Sequence, residues 1–267
     1  MTRFLFEATR PVGILPHMRT LLRPAVWGLL WLAFSAASFA TTLTVTGHPE
    51  DVNGGGEFTA YLNNNSNATF DVFCIDYRNF LSGFNTSFDV NISTLSFAGL
   101  FTNSDVQNTR YGTTPSNNFS FDVPQAGTAE NRYLLAAYLT TQFDFSSGVN
   151  AADFAIQDAI WNLLDVDGAD HTANSTQSAV DGEIAAALAW ELSQNSVSLA
   201  NFASRVEIFT STDVANWQAS GCSSRYSCGQ QEYITVAPNT GTPEPADLAM
   251  VGAGLVGLGL LRRRRAA

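Results

Sequence analysis

The chain has 267 residues and a formal net charge of −11, and of its 13 basic residues Arg3, Arg10, Arg19, Arg23, Arg262, Arg263, Arg264 and Arg265 lie near the two ends. Only Arg78, Arg110, Arg132, Arg205 and Arg225 remain between them, which argues against nucleic acid as a partner. A hydrophobic content of 45% with 12% aromatic residues argues against a disordered chain, despite the abundance of Asn, Ser and Thr.

Residues 27–40 form an apolar run preceded by Arg19 and Arg23 and closed by Ser38 and Ala40. That is the layout of a cleavable secretory signal, with cleavage expected after Ala40 and Met18 as an alternative start. The following stretch alternates at residues 41–47, and residues 57–62 and 68–77 are rich in Phe, Val, Ile, Thr and Tyr, so the first third reads as strands. Further strands are expected at residues 87–95 and 119–123. The period then changes. Residues 128–142, 150–164 and 177–194 read as three helices, the second opening on Asn150 as cap with Asp153 in its first turn. In the third, Ile184, Leu188, Trp190 and Leu192 are the candidates for burial. Strands return at residues 205–210 and 232–236.

The order predicts an α+β domain over residues 41–240, β-rich and sandwich- or barrel-like, with an inserted three-helix segment. It would be flanked by the signal peptide of residues 1–40 and by a C-terminal transmembrane helix.

That C-terminal segment begins with Pro243-Glu244-Pro245, continues through an apolar, glycine-rich stretch at residues 248–261 and ends with Arg262, Arg263, Arg264 and Arg265. It resembles the bacterial PEP-CTERM sorting signal. The resemblance implies recognition by an exosortase, transient anchoring in the inner membrane, and delivery to the cell surface or extracellular matrix of a Gram-negative bacterium. A 14-residue helix rises about 21 Å, short of a hydrocarbon core of roughly 30 Å, which suits transient retention, with the arginines on the cytoplasmic side. The letters Gly252-x-Gly254-x-x-Gly257 match a dinucleotide fingerprint, but no βαβ unit surrounds them.

The candidate chemistry lies inside the domain. Of the three cysteines, Cys222 and Cys228 are close neighbours and read as a small disulfide loop, leaving Cys74 as the odd thiol of an exported chain. On the second helix, Phe154, Gln157, Trp161 and Leu164 share one face. Gln157 is then a primary amide in an apolar stripe. Burying an amide without partners costs roughly 1–3 kcal/mol, so something must satisfy or consume it. Two readings fit. Cys74 is an inert core thiol and Gln157 bonds to backbone, or the thiol condenses with the Gln157 amide, releasing ammonia and leaving a thioester.

Phe73-Cys74-Ile75-Asp76 on a strand, followed by Ile156-Gln157-Asp158-Ala159-Ile160-Trp161 on a helix, resembles the thioester domains of bacterial surface adhesins. The helix carrying Tyr133-Leu134-Leu135-Ala136-Ala137 resembles the one that precedes the glutamine in that family. The resemblance implies a Cys74–Gln157 thioester, attacked once by an amine or hydroxyl of a target, with Trp161 shielding the bond from water. Partners would be an extracellular polysaccharide or a surface protein; this is single-use chemistry, not enzymatic turnover, and it needs no cofactor. The alternative is a non-reactive extracellular matrix or carbohydrate-binding structural protein on the same scaffold.

A weaker feature is Asp165, Asp167 and Asp170 near Gly168, a Ca²⁺ candidate that lacks the closing glutamate, against the plainer reading of an acidic turn. With three histidines in all, one of them His17 before the domain, zinc has no ligand set.

Overall fold

The computed structural model describes residues 41–238 apart from residues 53, 100, 102, 120–126, 167–171, 173 and 174. Six antiparallel strands close into a barrel: β1 (Thr41–Val52), β2 (Gly55–Leu62), β3 (Phe70–Cys74), β4 (Thr86–Thr94), β5 (Val206–Ser211) and β6 (Tyr233–Val236), in the spatial order β1-β2-β3-β6-β5-β4. Among the described strands, each then has a neighbour on both sides. Of the two architectures open to the sequence, sandwich or barrel, the protein takes the barrel.

Between β4 and β5 the chain leaves the barrel to build α1 (Ala129–Thr140), α2 (Ala151–Leu164), α3 (Gln177–Ser193) and α4 (Ser196–Ala203). The insertion thus holds four described α-helices instead of three; Gln194 is the C-cap of one and Asn195 caps the next, its side chain accepting from the Ser198 N–H. A single turn, α5 (Thr212–Ala215), follows β5. Local chemistry explains the starts. Thr128 caps α1, Thr176 caps α3, and Asn150 with Asp153 forms a reciprocal capping box on α2.

Strand alternation divides the core. Leu43, Val45, Phe58, Ala60, Val72, Cys74, Val90, Phe209 and Tyr233 form one apolar cluster, completed by Trp161 from α2. Val206, Ile208 and Ile234, on the opposite faces of β5 and β6, pack against α1–α4 in a second cluster with Tyr133, Ile156, Ile160 and Ile184.

Four expectations are corrected. Strand β3 ends at Cys74 instead of continuing to Tyr77, because Asp76 turns the chain by accepting from Arg78 N and Asn79 Nδ2. Leu192 is exposed, since α3 buries only Val180, Ile184, Ala187 and Leu188. Phe154 is only half-buried at the near end of its helical face. Phe119 is in no strand, and the rest of that expected strand lies within residues 120–126, outside the described residues. The signal segment 1–40, the motif Pro243-Glu244-Pro245 and the stretch 248–261 also lie outside them. Among the described residues, no helix is long and apolar enough to cross a membrane.

Candidate functional site around Cys74 and Gln157

Strand β3 delivers Cys74 to the barrel end that α2 covers, and α2 turns Gln157 and Trp161 towards it. All three are buried. The Gln157 amide is held by two backbone groups, each of which can play only one part. Its Nε2 donates to the Cys74 carbonyl oxygen at 3.0 Å, and its Oε1 accepts from the Gly56 N–H at 2.6 Å. Those partners fix which end of the amide is which. The carbonyl is polarised by a preorganised backbone donor, and the nitrogen rests against the residue that carries the thiol.

Glycine makes this approach possible. A Cβ on Gly55 would fall 2.6 Å from Gln157 Cδ and 2.7 Å from Trp161 Cζ2, so only a residue without one lets α2 come this close. Gly56 has φ +90°, a conformation that glycine adopts freely, and this aims its N–H at the amide. Two register shifts in β1, between Val45 and Gly47 and between Gly47 and Glu50, bend the strand pair that carries these glycines.

The Cys74 sulfur has its own shell. Sγ donates to the Asp76 carbonyl at 3.4 Å and accepts from Gln231 Nε2 at 2.6 Å. The indole of Trp161 lowers the thiol's pKa slightly. Burial nevertheless dominates, and with the nearby Asp76 charge it pushes the thiol well above its ordinary range. A free Cys74 thiol here is therefore held in its protonated form. The Trp161 ring is covered in turn by Tyr77, edge to face at 5.1 Å between centroids.

Beside this centre lies a pocket of about 190 Å³ lined by His48, Phe58, Phe80, Leu81, Phe84 and Gln231 with Gly54 and Gly83. His48 stacks on Phe58 at 3.9 Å and bonds through Nε2 to the Gly55 carbonyl at 2.6 Å. Phe80 is 79% exposed and Phe84 half-exposed, so the loop after Cys74 presents aromatic rings to solvent at the pocket mouth.

Behind the sulfur is a buried charge network that sequence reasoning missed. Arg110 Nε meets Asp76 Oδ2 at 2.7 Å; its Nη1 donates to the carbonyls of Arg225 and Tyr226 and its Nη2 to that of Gln230. Glu232 accepts from Arg110 N, Thr210 and Tyr133. Burial pushes both carboxyl groups above the ordinary carboxylate range, against the pull of Arg110. Cys222 and Cys228 are joined, with Cα atoms 5.3 Å apart, and close the loop that supplies two of the carbonyls on Arg110. One signal was available: a charge-poor domain with five arginines gives each a raised chance of a structural role.

Asp165 sits buried at the C-terminal cap of α2. Asp167 and Asp170, the other candidate Ca²⁺ ligands, lie outside the described residues. Among the described residues no group of His, Cys, Asp and Glu could hold a metal ion.

The buried phenols set a pH limit. Burial, the largest cause, raises Tyr111, Tyr133 and Tyr233 above the ordinary phenol value of about 10. Below that value both folded and unfolded chains hold these protons; above it only the folded chain does, so stability falls as pH rises. Each phenol contributes up to about 1.4 kcal/mol per pH unit above about 10. The urea midpoint is expected to drop between about pH 9 and 11, and a midpoint that holds constant contradicts this.

No family model, curated protein or solved structure matches this chain. The fold and site define a β-barrel protein with a helical insertion and a buried cysteine–glutamine pair at one end of the barrel.

Proposed function

We propose that this is an exported surface or matrix protein that attaches itself covalently to an extracellular amine or hydroxyl through a Cys74–Gln157 thioester. The observation that carries the reading is the Gln157 amide, buried and clamped between the Gly56 N–H and the Cys74 carbonyl. In condensation, Cys74 Sγ bonds to Gln157 Cδ, the Cδ–Nε2 bond breaks, and the thiol proton leaves with the nitrogen as ammonia. The Gly56 N–H sits where the carbonyl oxygen gains charge, the place where a fixed donor contributes most.

Burial favours the product. A thioester is neutral, whereas hydrolysis would add water to give the Cys74 thiol and a carboxyl group at position 157, whose charged form is strongly disfavoured in this apolar pocket. Trp161 and Tyr77 cover the bond until an acceptor comes through the aromatic pocket. Attack at Cδ then forms an amide or ester to the target, and the acceptor's proton passes to Cys74 sulfur. The chain has no lysine, so no side-chain amine of its own competes for the acyl group. Sorting by an exosortase through Pro243-Glu244-Pro245 and the terminal arginines, with delivery to the surface of a Gram-negative bacterium, belongs to the same proposal and rests on the sequence resemblance alone.

Intact mass tests the bond. The purified mature protein is expected about 17 Da below its sequence mass; methylamine should remove the deficit and add about 14 Da, and Cys74→Ala should show neither change. A full-mass protein with a titratable Cys74 thiol overturns the reading. The second reading, a non-reactive carbohydrate-binding matrix protein, is favoured by the exposed rings of Phe80 and Phe84 at a pocket mouth. It would survive that result.

A further inference from the structure

Resting on the thioester reading, we propose that Gln231 is a catalytic residue of bond opening, donating its amide N–H to the Cys74 sulfur as the acyl group departs, and that Tyr233 positions it. The need arises from the surroundings. When an acceptor attacks Cδ, the S–Cδ bond breaks and its electron pair passes to a fully buried sulfur that belongs to the apolar cluster of Val72, Phe58 and Phe209. Water cannot stabilise that charge, so a protein donor must hold it until the acceptor's proton arrives.

Gln231 is built for this. Its Nε2 touches Cys74 Sγ at 2.6 Å and also donates to the Asp76 carbonyl at 3.4 Å, while its Oε1 accepts from the Tyr233 hydroxyl at 2.9 Å. A backbone carbonyl can only accept, so the nitrogen end must face the sulfur. The Tyr233 bond draws electron density from the amide and makes its N–H a better donor. Gln231 is 3% exposed yet forms part of the wall of the 190 Å³ pocket, so it stands between the acceptor's approach and the leaving sulfur. The backbone places it: Tyr233 pairs with Cys74 in the β3–β6 ladder, and Gln231, two residues earlier, lies on the same face.

The test measures methylamine uptake by intact mass over time in the full mature protein and in Gln231→Leu, Gln231→Glu and Tyr233→Phe. Gln231→Leu is expected to keep the deficit of about 17 Da and to react about 10- to 100-fold more slowly, the scale for losing one preorganised donor. Gln231→Glu can donate only when protonated, so its rate relative to wild type should rise as pH falls through the carboxyl range, which a packing defect would not produce. Tyr233→Phe should slow the reaction several-fold with the wild-type pH profile. Wild-type rates in Gln231→Leu overturn the proposal while leaving the thioester intact. If that variant fails to fold, wild-type rates in Tyr233→Phe overturn it instead. A wild-type protein of full mass overturns both readings.

Discussion

Arg110→Met is expected to lower the unfolding free energy by about 3–5 kcal/mol, a large share of the roughly 5–15 kcal/mol that holds a typical domain together. Methionine keeps much of the volume but removes the charge that meets Asp76 at 2.7 Å and the donors to the carbonyls of Arg225, Tyr226 and Gln230. Asp76 is fully buried, as is Glu232, and neither can reach water to recover its hydration. The loss should shrink at acid pH. An unpaired buried carboxyl is relieved by taking up a proton, so the gap between variant and wild type narrows as pH falls through the carboxylate range. Adding Asp76→Asn to the variant should recover part of the stability, a coupling that chemical denaturation of the four proteins in the cycle measures directly. A loss below about 1 kcal/mol would mean that the network holds less of the fold than its burial implies.

The second large effect concerns the site. Gly55→Ala is expected to abolish the mass deficit and all methylamine uptake. Gly55 has ordinary backbone geometry, so alanine meets no conformational penalty there and the whole effect comes from space. The new methyl would lie 2.6 Å from Gln157 Cδ and 2.7 Å from both Oε1 and Trp161 Cζ2. These groups must move away, and the amide then loses the Gly56 N–H and the Cys74 carbonyl together. Overpacking of this kind costs about 1–3 kcal/mol, so the domain should fold with a lowered melting temperature. Gly47→Ala is the control, since a Cβ there meets nothing within 4 Å. A Gly55→Ala protein that keeps both the deficit and wild-type uptake would show that the close approach of α2 to β2 is dispensable.

These two substitutions also separate parts of the molecule that differ in how far they can be read from the chain. The caps of α1, α2 and α3, the alternation in β1 and β2, and the placement of Gln157 on an apolar helical face are local properties, fixed by residues within a few positions of one another. α4 escaped because it is short and follows α3 almost directly, so its signal merges with the preceding helix. Cys222 and Cys228 are joined across a separation of six residues, near enough for spacing alone to suggest the pair.

By itself, then, the sequence determined most of the stretches that become strands and helices and which of their faces are apolar, because periodicity and capping act over one or two turns of chain. Tertiary structure alone decided that the strands close into a barrel, that Gly56 reaches Gln157 across 101 residues, and that Gln231 reaches Cys74 across 157. It likewise brought Arg110 to Asp76 and Glu232. The physical reason is that an apolar pattern reports that a face is buried without saying against what. The partner of a buried polar group is chosen by barrel closure and helix packing, which no local window contains.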